Sequence, residues 1–102
     1  MYKLKHFDEV ESDLDALDEQ TYDEVVGYFE KYKINPIAYS QPLHEQDKLD
    51  LRGYRKTYVA NATYRIILKV QNDIAQIVHV VAVGERDQKK VYLEAFLRIT
   101  KK

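Results

Sequence analysis

The chain has no cysteine, so neither a disulfide nor a thiolate metal site can hold it, and the fold must rest on packing. Its three glycines, Gly27, Gly53 and Gly84, are scattered, which argues against a glycine-rich loop cradling a phosphate. The longest apolar run, around Ile77–Val83, falls far short of the roughly 20 residues a membrane helix needs, so no membrane partner is expected. The opening MYKLKHFDEV is charged and alternating where a secretory leader would carry an apolar core. With the missing cysteine, this sets the expectation of a cytoplasmic protein. The only serines, Ser12 and Ser40, sit in no nucleophile-elbow context. The three histidines, His6, His44 and His79, show no ligand spacing, so no metal and no cofactor is expected. His79, between Val78 and Val80, reads as a satisfied sheet histidine rather than a base. The acids of residues 8–24 read as solvated helix surface.

What is present is a chain of 102 residues, a length that suits one domain over 1–102 and one modest core, burying roughly 60–68% of the unfolded chain's surface. The net charge of −1 conceals an asymmetry. Residues 1–47 carry four lysines against twelve Asp or Glu, a net −8, while residues 48–102 carry twelve Lys or Arg against five acids, a net +7. Such a split suits a molecule with one face for polyanions and another that repels them. It equally suits two solvated acidic helices.

Hydrophobic periodicity gives the element order. Tyr2–Phe7 alternates as a half-buried strand. Val10, Leu14 and Leu17 form a helical stripe, with Asp8 as its expected cap. Thr21–Glu24 has capping-box spacing and opens a second helix with the stripe Tyr22, Val25, Val26, Phe29 and Tyr32. Asn35-Pro36 ends it, and 34–50 reads as a long connection. Residues 54–59, 63–70 and 74–83 read as three strands joined by short turns at 60–62 and 71–73. The third strand is apolar on both faces, as at the centre of a covered sheet. A last helix is expected over Asp87–Thr100, capped by Asp87, with Val91, Ala95, Phe96 and Ile99 inward, and Gly84 is expected to turn the chain out of the preceding strand. The order β-α-α-β-β-β-α predicts a small two-layer α+β domain with a mainly antiparallel sheet.

The cations of the β portion stand out. Arg52, Arg55 and Lys56 lie in LRGYRK, Arg65 sits among apolar residues on its strand, and Arg86 follows the third strand. Interior strands seldom carry arginine without a partner or a use, because guanidinium stays charged and is costly to desolvate alone. If the three strands form a meander, Arg55 or Lys56, Arg65 and Arg86 converge on one face or edge. The bland alternative pairs Arg65 with a carboxylate such as Asp50 or Glu85. Taken together with tyrosines 54, 58, 64 and 92, the set favours a polyanion site. The chemistry it permits is internal cleavage of RNA, in which the ribose 2′-OH attacks its own phosphate. Arginines neutralise the crowded phosphate, and a lysine or tyrosine with a lowered pKa moves the proton. Lys89 and Lys90 read as surface, useful for docking on RNA.

The motifs LRGYRK (51–56), YRIIL (64–68) and VAVGERDQKKVYLEAFLR (81–98) resemble those of the RelE/ParE superfamily of bacterial and archaeal type II toxin–antitoxin toxins, specifically its RelE branch. The resemblance spans essentially the whole chain. It implies a RelE-like fold and an endoribonuclease that cuts mRNA in the ribosomal A site, docked on ribosomal RNA, to leave a cyclic phosphate. It implies a cognate antitoxin that wraps the sheet and helices, and operator DNA reached through the antitoxin complex. By the same resemblance Arg65 and Arg86 are phosphate-stabilising arginines. Tyr92 stacks on a base and assists proton transfer, Lys56 lies near the nucleophile, and Arg52 opens the sheet region. Apart from the resemblance, Arg52, Arg55, Tyr58, Lys89 and Lys90 are expected to contact RNA as cations and a ring of the same portion. Tyr58 stands where relatives carry a second basic residue, and Gln88 where some carry another arginine. Two other readings share the fold: a ParE-like, non-nucleolytic gyrase-binding toxin, and a RelE-fold protein that only binds its antitoxin and operator. ParE-like relatives typically lack the full Arg/Tyr set.

Overall fold

Alternating apolar residues in the second half of the chain build a sheet whose two faces are both covered. In the computed structural model, which describes residues 1–43, 49–87 and 90–101, the elements are β1 (Lys3–His6), α1 (Glu9–Asp15), α2 (Glu19–Ile34), β2 (Gln41–Pro42), β3 (Arg55–Val59), β4 (Tyr64–Asn72), β5 (Gln76–Glu85) and α3 (Lys90–Lys101). The strand order is β1-β5-β4-β3-β2. β1 runs parallel to β5 and every other pairing is antiparallel. The expected α+β class and mainly antiparallel sheet are what form. The two-residue β2 is an addition, an edge strand inside the stretch read as a plain connection.

Side-chain alternation sorts β4 and β5 between two cores. Ile66, Leu68, Val78, Val80 and Val83 pack with Val10 of α1 and Val25, Phe29 and Tyr32 of α2. Ile67, Val81 and Ala82 pack with Val91, Tyr92 and Ala95 of α3 and with Leu43 and Leu51. Helices therefore cover both faces, which adds a third layer to the two expected. One irregularity keeps this sorting possible. Ile67 pairs with Ala82 but Leu68 pairs with Val80, so Val81 is an extra residue, a bulge that turns both Val81 and Ala82 toward α3.

Gly84 does not form the expected turn; it lies within β5, where a Cβ would meet the Cβ and Cγ2 of Val91 at 3.4 Å. Its bare backbone lets the start of α3 come down close onto the sheet. The helical caps also differ from expectation. Asp8 occupies the N-cap position of α1 with helical angles and makes no side-chain cap. α2 opens before Thr21, because Asp18 accepts from the Thr21 backbone N–H at 2.7 Å. Its buried stripe is consequently Thr21, Val25, Phe29 and Tyr32, and Tyr22 is exposed. Asp87, the expected cap, precedes α3, which is described from Lys90 onward, and the intervening Gln88 and Lys89 lie outside the described residues.

β1 is shorter than β5 and pairs only as far as Val80, which leaves the outer edge of Val81–Glu85 without a strand. Buried backbone groups need partners, and here side chains supply them. Val83 N–H donates to Asp13 Oδ2 at 2.9 Å, and Arg98 Nη1 donates to the Val81 carbonyl at 3.0 Å. The two side chains close on each other through bonds of 2.6 and 2.8 Å. Asp13 is thus an exception to the solvated acids of 8–24. Removing one partner leaves a largely desolvated charge and an orphaned strand edge, so Asp13→Ala should lower the unfolding free energy by about 3 kcal/mol. Denaturant titration checks this, with Arg52→Gln, at the exposed Asp50 pair, expected to change little.

Candidate nucleic-acid interface

Strand register decides which cations meet. β3 pairs Lys56 with Ile67 and Tyr58 with Arg65, and β4 pairs Arg65 with Gly84. Residues directly opposite share a face, and Ile67 and Ala82 face α3. Lys56, Tyr58 and Arg65 therefore lie on the α3 side, and Arg86 follows two residues beyond Gly84. α3 then lays Tyr92 against them. Arg65 Nε donates to the Tyr92 hydroxyl at 2.6 Å, and Nη1 donates to the Ala62 carbonyl at 3.1 Å. The guanidinium carbon stands 3.9 Å from the Tyr58 ring centroid, and Lys56 Nζ 5.0 Å from the same ring.

Arg65 is only 7% exposed, yet no carboxylate holds it among the described residues. Asp50 is taken by Arg52 through a two-pronged pair at 2.9 and 3.1 Å, and Glu85 accepts from Tyr64 at 3.5 Å. A phenol, a carbonyl and a ring face surround the charge instead. Nη2 makes no hydrogen bond among the described residues. A desolvated guanidinium with neutral neighbours and an open donor edge is suited to a phosphate oxygen.

The Ala62 carbonyl is presented by an unusual turn. Ala60, Asn61 and Ala62 all have positive φ, at 51°, 54° and 68°. Asparagine tolerates this region; alanine does so at a cost of about 1–2 kcal/mol per residue. The turn is pinned from both sides, since Ala60 N–H donates to Glu24 and the Arg86 N–H donates to the Thr63 carbonyl at 2.9 Å. That last bond fixes where Arg86 leaves β5, with its side chain exposed. Local strain accepted at a corner that positions two arginines is characteristic of sites rather than of plain turns.

The two tyrosines at this corner sense opposite fields. Tyr58's phenol is held below its ordinary range by its hydrogen bond to Lys56 and by the charges of Lys56, Arg65 and Arg86. Tyr64, on the other face, is raised by burial and then by Glu85 and Asp18. Tyr58 thus faces a lysine and two arginines, whereas the acids near Tyr64 add to the effect of its burial. Tyr92 is buried, with 4% exposure, whereas Tyr58 retains 37%. In this arrangement Tyr92 orients Arg65, and the ring open to a base is that of Tyr58.

The remaining candidates go elsewhere. Arg55 pairs across from Leu68, on the opposite face. Its Nε donates to Ser40 Oγ at 2.6 Å, and its Nη2 to the carbonyls of Ser40 and Ile37 at 2.8 and 3.3 Å. It fastens the 37–40 loop rather than facing the cluster. Arg52 is engaged with Asp50 as described. Lys90 lines a cleft of about 500 Å³ between α1 and α3 together with Asp13 and Glu94. Lys89 and His44 lie outside the described residues. Three residues that sequence reasoning passed over border the cluster: Tyr28 and Lys31 of α2 and Tyr39 of the following loop. Their only signal was the tyrosine and lysine density of YFEKYKINPIAYS (28–40).

Because cations favour the phenolate, Tyr58 should ionise below the ordinary phenol range while buried Tyr32 ionises far above it. Ultraviolet-monitored titration should lose its lowest phenol step in Tyr58→Phe. The same step should move upward in Lys56→Gln.

No protein-family model matches the sequence, and no functionally curated protein matches it either. Solved structures do match in shape. A doubly substituted variant of the Escherichia coli toxin RelE in the free state aligns at TM-score 0.68 and 22% identity, covering 96% of this chain and 97% of that one. The YoeB/ParE toxin from Agrobacterium tumefaciens aligns at 0.68 and 19%, covering 82% and 98%. A chain of the archaeal RelE–RelB complex from Pyrococcus horikoshii aligns at 0.65 and 17%, covering 86% and 98%. With a mixed five-stranded sheet and three helices among its described residues, the chain has the fold of these RelE and YoeB/ParE toxins.

Proposed function

We propose that the chain is the toxin of a type II toxin–antitoxin pair and an endoribonuclease that cuts mRNA on the ribosome. The observation that carries this reading is the open donor edge of Arg65, oriented by Tyr92 and flanked by Tyr58, Lys56 and Arg86. In the reaction the 2′-oxygen forms a bond to the adjacent phosphorus and the bond from phosphorus to the 5′-oxygen breaks. The leaving 5′-oxygen takes up a proton from water, so the products are a 2′,3′-cyclic phosphate and a 5′-hydroxyl. Arg65 Nη2 and the Arg86 guanidinium bind the equatorial oxygens, where charge accumulates. The Lys56–Tyr58 pair is the group next to the nucleophile: a phenol poised toward phenolate accepts the 2′-proton, and the lysine ammonium favours that state. Tyr92 acts through Arg65 and is a positioning residue. No step calls for a metal.

Structures of RelE with an antitoxin peptide and of a RelE–RelB complex are among the folds this chain matches, which supports a proteinaceous antitoxin as its partner. Operator DNA would be reached through that partner.

Expression of the chain alone, with mapping of mRNA 3′-ends, tests the reading. Cuts at A-site codons are expected. Arg65→Ala and Arg86→Ala should each reduce cleavage by about 10²–10³-fold, the usual effect of deleting one donor to a developing oxyanion. Tyr92→Phe keeps the ring and should cost about tenfold. Intact mRNA with growth arrest and gyrase-dependent DNA damage would instead assign the chain to the non-nucleolytic toxins. Unimpaired growth would leave only the antitoxin-binding repressor.

A further inference from the structure

β2 pairs only with Arg55 and Lys56, so from Thr57 onward the outer edge of β3 has no strand beside it. A groove of about 300 Å³ runs along that edge, bounded by Tyr28 of α2, Tyr39 and Ser40 of the loop, and Lys56, Thr57 and Tyr58 of β3. This is at the lower end of the size range of small-ligand pockets. Among the described residues its lining holds three tyrosines and a lysine and no carboxylate. A second lysine overhangs it: Lys31 Nζ lies 4.8 Å from the Tyr28 ring centroid and 5.4 Å from that of Tyr39. No carboxylate pairs with Lys31 among the described residues, although its own helix is rich in acids.

The groove is a built feature. Arg55 fastens the loop from the opposite face of β3 through Ser40 and Ile37. Thr57 Oγ donates to the Tyr39 carbonyl at 2.7 Å, and the buried Tyr32 hydroxyl is bonded in turn to Thr57. The anchors use Tyr39's backbone. Its side chain remains 41% exposed, beside Tyr58 at 37%. Rings held in place with open faces, between lysines and without acids, are the combination that receives bases and phosphates of a single strand.

We infer that this groove holds the nucleotide next to the scissile one, with its base stacked on Tyr39 and its phosphate drawn by Lys31 and Lys56. The inference rests on the RNA reading of the Arg65–Arg86 cluster and extends it: the strand would leave the cluster at Tyr58, cross the edge of β3 and reach α2. Arg55, a candidate for direct RNA contact, becomes the residue that positions the loop.

The test uses the purified full chain and a short single-stranded 2′-O-methyl RNA, which cannot be cleaved, with binding read by fluorescence anisotropy at fixed salt. Tyr39→Leu should weaken binding roughly five- to a hundredfold, while Tyr39→Trp should restore it, since stacking needs only a ring. Lys31→Gln should weaken binding and flatten the salt dependence by about one phosphate contact. Thermal unfolding, expected unchanged in these variants, separates lost contact from lost fold. If Tyr39→Leu and Lys31→Gln bind as tightly as the unaltered chain while Arg86→Ala does not, the groove assignment is wrong and the RNA reading stands. If the unaltered chain does not bind the oligonucleotide at all, the groove assignment is overturned, and the mapping of mRNA 3′-ends decides the RNA reading separately.

Discussion

The Asp13–Arg98 pair is the contact on which the arrangement of elements depends. A four-residue β1 cannot cover a ten-residue β5, and the uncovered half of β5 is the half that leads into Gly84 and Arg86. By accepting from Val83 N–H and donating to the Val81 carbonyl, the pair finishes the sheet where no strand does. It also ties α1 to α3 across 85 residues of chain. α3 carries Tyr92, so the same contact determines where the Tyr92 hydroxyl meets Arg65. A structural ion pair and the candidate site are therefore mechanically continuous, although they share no residue.

The site itself is an unusual solution for a buried arginine. Burial normally demands a counter-charge, and the sequence offered two candidate acids, Asp50 and Glu85. Both are engaged elsewhere, Asp50 by Arg52 and Glu85 by Tyr64. What Arg65 receives instead is a hydroxyl, a carbonyl and a ring face, each of which orients the guanidinium without cancelling it. The charge remains uncompensated within the described residues, and it is compensated most naturally by an anion that arrives.

Much of this was legible in the sequence, and the reasons for the rest are specific. Long periodic segments such as β4, β5 and α3 announced themselves, and the cations were conspicuous because Arg65 interrupts an apolar strand while Lys56 and Arg86 stand on or just beyond its neighbours. The left-handed turn at Ala60–Ala62 was legible as a turn but not by type, since alanine is a poor indicator of positive φ. Arg55 and Lys56 are neighbours with the same chemistry. Only pairing with β4 reveals that alternation sends one to the Ser40 loop and the other to the site. Asp13 looked like one acid among many on a solvated helix, and nothing local marks it as the partner of a residue 85 positions away. Tyr28 and Tyr39 carried no periodic signal, because what gathers them is an unpaired strand edge.

The bulge at Val81 gives the molecule a phase. Up to Val80, alternate residues of β5 look toward α1 and α2; from Ala82 the parity is reversed, and only so do Gly84 and Arg86 fall on the side of Arg65. A strand of this length could lose or gain one residue between Val80 and Gly84 and still find hydrogen-bond partners. Its far end would then be inverted, with Arg86 sent toward the acidic helices and Gly84 no longer beneath Val91. Point substitutions along β5 alter the site by degrees, whereas a change of one in its length would abolish it while leaving most of the sheet paired.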